Sequence, residues 1–344
     1  MAERLADHTT LRLGGPAGTF ADATTERELV DLVSRADAAG ERVLLVAGGS
    51  NLVVGDDGFP GLVVRVATRG VELDQDTCGG AVVTVAAGES WDAFVAHAVR
   101  QGWVGVEALS GIPGSVGATP IQNVGAYGQE VSETIASVRC WDRRDNALRT
   151  IAAADCGFGY RTSRFKQDPE RYVVLTVTFQ LRLGDLGAPV KYAELARTLG
   201  VEPGQRAPMT QVRETVLGLR RGKGMVLDAD DHDTWSAGSF FTNPFLTEEQ
   251  SARLPADAPR WPQPDGSVKT SAAWLIEHAG FSKGYGNGRV GLSTKHTLAL
   301  TNRGAASTAD LVALAQEIRH GVHDRFGVWL VNEPVFVECE LVAG

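Results

Sequence analysis

The chain has 344 residues, 43% hydrophobic and 22% charged, with a formal net charge of −9. That length supports more than one domain and a sizeable core, while the acidic balance argues against nucleic acid or an anionic membrane as the main partner. The opening MAERLADHTTLRLGG lacks an apolar h-region and no uninterrupted apolar window is long enough to span a bilayer, so neither a secretory signal nor a membrane span is expected.

In chain order, Thr24 or Thr25 is placed to cap a helix over 26–39, with Leu29, Val30, Leu32, Val33 and Ala36 on one face and Gly40 ending it. Apolar runs at 43–46 and 62–66 read as strands flanking a GGSN loop, which makes a small β-α-β unit of the first part of the chain. A strand at 81–86 precedes a helix at 90–101, whose Trp91, Phe94, Val95 and Ala98 face inward. Alternation at 137–141 and 172–183 predicts strands; 192–199 and 210–221 read as helices. The stretch 222–266 has little periodicity, 271–279 and 308–320 are amphipathic helices, and 335–342 is a closing strand. This mixed order predicts an α+β protein of several domains, not a doubly wound sheet.

Cys78, Cys140, Cys156 and Cys339 are scattered without a C-x-x-C, as expected of inert thiols in a reducing compartment. His320 and His323 share a helical face but lack a third ligand. The acidic run DADDHD, 228–233, puts Asp233 and Ser239 where an EF-hand loop needs glycine and glutamate, so it reads as a solvated loop. No metal is expected.

The most informative segment is ALSGIPGSVGATPIQNVGAYG, 108–128, which holds Gly111, Gly114, Gly117, Gly125 and Gly128, two prolines, and no lysine or arginine. Such a chain cannot continue a helix, but it brings bare backbone N–H groups close to a bulky anion. The spacing of its first three glycines is not the Rossmann fingerprint. A surface loop would be the ordinary reading, except that a second loop of the same character, AGGSNLVV at 47–54, lies upstream. Two such loops suit a dinucleotide with a pyrophosphate.

Three further motifs carry side-chain chemistry. CGFGYRTSRFK, 156–166, packs Tyr160, Arg161, Arg164 and Lys166 closely enough to aim cations and a phenol at one point. GSFFTNP, 238–244, sets the Ser239 hydroxyl beside two large aromatics, without the G-x-S-x-G elbow or a histidine that a nucleophile needs. NEPVFVE, 332–338, puts Glu333 at the mouth of a strand that Pro334 introduces.

Together these motifs resemble, in order, those of the UDP-N-acetylenolpyruvoylglucosamine reductase family, and the resemblance runs from about Leu11 onward. It implies a two-subdomain FAD-binding module of the vanillyl-alcohol-oxidase type, at 1–75 and 76–218, with residues 326–344 returning to the second. An α+β substrate-binding domain would occupy 219–325. It further implies non-covalent FAD, NADPH as hydride donor, UDP-N-acetylglucosamine enolpyruvate as substrate, and a monomer in the bacterial cytoplasm. FAD contacts would come from Gly48, Gly49, Ser50, Asn51 and Leu52, then Gly111, Ile112, Gly114, Ser115, Gly117 and Ala118. Gln122, Asn123, Gly125, Ala126 and Tyr127 would complete that set.

Arg161 would hold the substrate carboxylate, Glu333 would donate a second hydrogen bond, and Ser239 would protonate the α-carbon. Tyr160, Tyr192 (in PVKYAELA), Lys223 and Asn243 would bind the rest of the substrate. Glu277 and His278 lie where relatives contact substrate, without an assignable role. The acidic MVLDADDHDTW, 225–235, departs from the shorter linker expected. A covalent flavin oxidase of the same fold would tether its cofactor through histidine or cysteine, and the two glycine-rich loops contain neither. A non-catalytic binder would have no use for Arg161, Ser239 and Glu333 together.

Overall fold

A computed structural model describes residues 2–77 and 80–342; Cys78 lies outside the described residues. The chain forms two compact units, one of Thr19–Gly48 and Gly61–Arg221, the other of Met1–Gly18, Gly49–Pro60 and Gly222–Gly344. The late change of unit falls at Arg221/Gly222.

In the unit that holds Arg161, the helix Glu26–Ala39 starts on a capping box between Thr25 and Glu28 and stops at Gly40 in the left-handed conformation. Leu29 and Val33 are fully buried, a burial worth about 1.5–3 kcal/mol per side chain. They pack with Leu62, Val64, Val173 and Leu175. The accompanying sheet has the order Ala17–Ala23, Phe59–Val66, Val43–Val46, the last two parallel in the register Val43 to Leu62.

A larger antiparallel sheet runs Ala147–Ala152, Ile135–Asp142, Tyr172–Leu183, Gly80–Ala86, Val71–Thr77, with Trp103–Val104 pairing the end of Tyr172–Leu183. Its two outer strands, Val71–Thr77 and Ala147–Ala152, carry no sequence expectation. They sit at sheet edges, and VELDQDT and ALRTIA lack the apolar alternation of a half-buried strand. The helix Trp91–Gln101, capped by Ser90, covers this sheet; Phe94 stacks on Phe179 at 5.0 Å and the Trp91 indole donates to the Leu109 carbonyl at 3.1 Å.

The unit that holds Ser239 is built round Leu11, Val53, Phe240, Phe241, Leu275 and Ile318. Its longest helix, Thr308–Phe326, runs past the expected end at 320 to Gly327, whose left-handed φ closes it. The Asp56 carboxylate accepts the N–H groups of Thr308 and Ala309 at 2.7 and 2.9 Å, an anion at the positive end of the helix. The closing strand is shorter than expected. Val335–Val337 pairs in parallel with Leu52–Val54 of this same unit, whereas the sequence reading had 326–344 returning to 76–218. Glu338, at φ 53°, turns the chain out of strand geometry. The run 228–233 is exposed as expected at Asp228, Ala229, Asp230 and His232, but its last residue departs: Asp233 is buried among donors of its own unit, because a folded turn brings it to Thr294 and Arg303.

Candidate active site

The two glycine-rich loops meet where side chains are excluded. A Cβ on Gly48 would lie 2.6 Å from the Gly114 Cα, and one on Gly117 would lie 2.5 Å from the Ala87 Cβ. On the other side of the GGSN turn, a Cβ on Gly49 would meet the His8 carbonyl. Within 111–117 not every backbone N–H is available to a ligand. Gly111 donates to the Asp92 carboxylate at 2.6 Å, and Val116 and Gly117 donate to the carbonyls of Glu89 and Ala87 at 2.8 Å. These bonds stiffen the loop. Among the described residues, the N–H groups of Gly48, Gly114 and Ser115 have no protein acceptor, so they remain for a pyrophosphate. A glycine cradle with N–H groups left over fits FAD, and those three residues would hold its phosphates.

Ile112 packs into the apolar core below, and Ala118 ends the turn Val116–Ala118. Leu52 opens the strand that pairs with Val335. Sequence reasoning missed what braces this loop. Asp92 also takes both Arg213 Nη1 and Nη2, at 2.6 and 2.9 Å. Burial pushes the Asp92 carboxyl up, but Arg213 and the Gly111 N–H outweigh it and hold the group below the usual range. Arg220 stands near Tyr127 and Asp92, and burial lowers its guanidinium to about 10. Only an acid in the first turn of a helix hinted at Asp92; nothing linear ties it to Arg213.

Arg161 sits at φ 53°, and Asn123 and Tyr127 share this left-handed conformation at 48° and 50°, each at a cost of about 1–2 kcal/mol for a residue with a Cβ. The Arg161 guanidinium donates to the Gly125 carbonyl at 2.9 Å and lies 5.3 Å over the Tyr160 ring. Lys166 reaches back to the Arg161 carbonyl at 3.0 Å. The Asn123 amide donates to Glu130 at 2.8 Å and to the Gly159 carbonyl at 3.1 Å, joining the hairpin of Gly125–Ala126 and Gln129–Glu130 to the Arg161 loop. The motif does not aim all its cations at one point: Arg164 turns away to the Asp155 carbonyl at 2.9 Å and over Tyr172. Gln122 precedes Asn123 on this loop and is half-buried. Tyr192 is exposed and meets Tyr127 edge-on at 5.4 Å.

In the other unit, GSFFTNP and NEP lie side by side. Phe240 receives the Glu333 N–H on its carbonyl at 2.8 Å and donates its own N–H to Leu298 at 2.7 Å. Asn51 accepts the Val335 N–H at 2.8 Å, which brings Ser50 and Asn51 of the GGSN turn to the same strand mouth as Glu333. Ser239 is half-buried, and among the described residues its hydroxyl has no protein partner. The Asn243 side-chain oxygen accepts the Ala272 N–H at 2.9 Å at the start of Ala272–His278, which fixes the orientation of its amide group. Glu277 accepts the Thr297 hydroxyl and His278 stacks on Trp274 at 3.8 Å, structural contacts for both. Lys223 precedes Gly224, whose left-handed turn rests on the Asp233 backbone.

A family model for an FAD binding domain matches residues 18–151, which include the glycine-rich segment. With its backbone cradle, that match makes the chain an FAD-binding protein. A second model, UDP-N-acetylenolpyruvoylglucosamine reductase, C-terminal domain, matches 230–337 and takes in Ser239, Asn243 and Glu333. Proteins named UDP-N-acetylenolpyruvoylglucosamine reductase from Streptomyces avermitilis and Cutibacterium acnes are 60% and 58% identical, each across 98% of this chain and 94% and 90% of their own. The crystal structure of UDP-N-acetylenolpyruvylglucosamine reductase from Thermus caldophilus matches with a TM-score of 0.65 at 25% identity, covering 98% of this chain and 99% of that one. The chain belongs to the UDP-N-acetylenolpyruvoylglucosamine reductase family, oxidoreductases of peptidoglycan precursor synthesis with FAD as cofactor. No helix among the described residues is long and apolar enough to cross a membrane.

Proposed function

We propose that the chain reduces UDP-N-acetylglucosamine enolpyruvate to UDP-N-acetylmuramate at the expense of NADPH, as a monomer in the bacterial cytoplasm. FAD, when bound, supplies the hydride that the enolpyruvyl ether takes at its terminal carbon. Negative charge then spreads over the substrate's α-carbon and carboxylate. Arg161 holds that carboxylate with its planar fork, and Glu333, in its protonated form, donates a second hydrogen bond; donors aimed at developing charge are typically worth about 10²–10³ in rate each. Ser239 gives its hydroxyl proton to the α-carbon and recovers one from solvent. Lys223, the Asn243 amide, Tyr160 and Tyr192 bind the diphosphate and uridine side.

The observation that carries this reading is the Ser239 hydroxyl, which has no protein partner among the described residues. The segment bearing it is pinned on one side to Leu298 and on the other to Glu333. A surface turn would have no need of such bracing. The test is anaerobic. Bound flavin is reduced with NADPH, UDP-N-acetylglucosamine enolpyruvate is added, and flavin absorbance is expected to return with one product formed per flavin. Reduced flavin that persists in the presence of this substrate would overturn the assignment.

A further inference from the structure

The acidic segment between Lys223 and Ser239 folds as a clasp. Asp233 is 5% exposed. Its carboxylate accepts the Thr294 N–H at 3.0 Å, an Arg303 N–H at 2.9 Å and the Thr294 hydroxyl. Arg303 is itself held by the Leu292 carbonyl at 2.9 Å. Burial pushes the Asp233 carboxyl up, but Thr294 and Arg303 outweigh that and keep it ionised well below its ordinary value.

Both flanks of Asp233 are tied down. Upstream, Gly224, which follows Lys223, adopts φ 66° and lies against the Asp233 backbone, where an added Cβ would stand 3.1 Å from the Asp233 carbonyl oxygen. The Thr234 hydroxyl closes the turn on the Asp228 carbonyl at 2.8 Å and accepts the Asp228 N–H at 3.0 Å. Downstream, the Trp235 carbonyl accepts the Asn302 N–H at 3.0 Å, the Ser236 carbonyl accepts the Thr10 hydroxyl at 2.7 Å, and the Ser236 hydroxyl accepts the Gly238 N–H at 3.3 Å. Thr234, Trp235, Ser236 and Gly238 thus each carry a bond of their own, up to the residue before Ser239. Asp231 pairs with Lys295 at a part-exposed position, and its Oδ1 accepts the Asp233 N–H at 3.0 Å, a bond that an asparagine oxygen there would keep.

We propose that Asp233 is a positioning residue whose clasp to Thr294 and Arg303 sets Lys223 and Ser239 on one rigid turn, so that a sugar nucleotide's diphosphate and its reacting carbon are registered together. This rests on the roles assigned to Lys223 and Ser239 above. Loss of the charge loosens both ends of the turn at once, and a misplacement of about 1 Å typically costs about 10²-fold in rate. A residue that only stabilised the fold would lower the melting temperature without changing the affinity or rate of the folded fraction.

The test compares Asp233→Asn, Asp231→Asn and Ser239→Ala with the parent. It uses calorimetric titration of the oxidised holoenzyme with UDP-N-acetylglucosamine enolpyruvate, and anaerobic flavin reoxidation. D233N is expected to keep its flavin and its reduction by NADPH within about twofold, while substrate dissociation constant rises and reoxidation falls by about tenfold each. D231N should match the parent in both. If D233N matches the parent in both while S239A is slow, the clasp is rejected and the reaction assignment stands. An S239A that reoxidises at the parent rate removes the assignment itself. Should D233N emerge without flavin, Thr294→Val removes only one donor; parent values there reject the clasp, and a weakening of about threefold supports it.

Discussion

Replacing Gly48 with alanine tests the cofactor cradle at its narrowest point. The backbone at Gly48 is not left-handed, so alanine is tolerated conformationally and the effect is steric alone. The new methyl would lie 2.6, 3.1 and 3.3 Å from the Cα, carbonyl carbon and N of Gly114, all backbone atoms that cannot swing aside. Carbon atoms rest at about 3.5–4.0 Å, so the loops must part by about 1 Å. The Gly114 and Ser115 N–H groups, which would hold the FAD phosphates, would be displaced with them. Hydrogen bonds to a charged group contribute about 1.5–3 kcal/mol each; loss of two raises the FAD dissociation constant by about 10²–10⁴.

Flavin content of the purified protein, from its absorbance at the flavin and protein bands, gives a first answer. Fluorescence titration of deflavinated protein gives the constant. Gly218→Ala is the control. It lies inside Met209–Gly222 with nothing within 4 Å of its Cβ position, so it should keep FAD and gain about 0.5–1 kcal/mol of stability. A Gly48→Ala protein that binds FAD within about threefold of the parent would refute the reasoning, since a shift of that size cannot leave two charge-assisted bonds intact.

Ser239→Ala should leave flavin reduction by NADPH intact and slow reoxidation by substrate by several orders of magnitude, with Ser239→Cys recovering part of the rate because a thiol, at about 8.5, is the stronger acid; equal effects on both half-reactions would argue for a structural role. Arg161→Lys should weaken substrate binding and rate together, because a point charge cannot reproduce a planar fork; stopped-flow rates over a range of substrate concentrations separate the two. Asp142, 2% exposed, accepts Arg171 through both oxygens, and that pairing outweighs burial to hold its carboxyl below the usual range. Its contribution is present above the unfolded-state value of about 3.9 and is lost as pH falls through the lower folded value. Melting curves should therefore drop below about pH 4, less steeply for Asp142→Asn, and identical slopes would remove Asp142 from the account. Burial raises the Cys140 and Cys156 thiols to about 11, so peptide mapping after alkylation at pH 8 should find both unmodified in the native protein and modified in urea.

What could be read along the chain was whatever local physics writes there. The helix Glu26–Ala39 declares itself through its Thr25 cap, its apolar stripe and Gly40, and Tyr172–Leu183 through its alternation. The glycine-rich segment was legible because glycine in that density has few uses, and the motifs around Arg161, Ser239 and Glu333 pointed to the family. Tertiary structure alone decided which N–H groups of that segment face outward, since Asp92, Glu89 and Ala87 claim three of them from elsewhere in the chain. The edge strands Val71–Thr77 and Ala147–Ala152 carry little apolar signal because one side of each has no neighbour to bury it. The closing strand chose Leu52–Val54 as partner, and Asp233 became buried. Both outcomes depend on pairings between residues far apart in sequence. A carboxylate is solvated by default in a linear reading; only the fold can bring Thr294 and Arg303 to it and make its burial favourable.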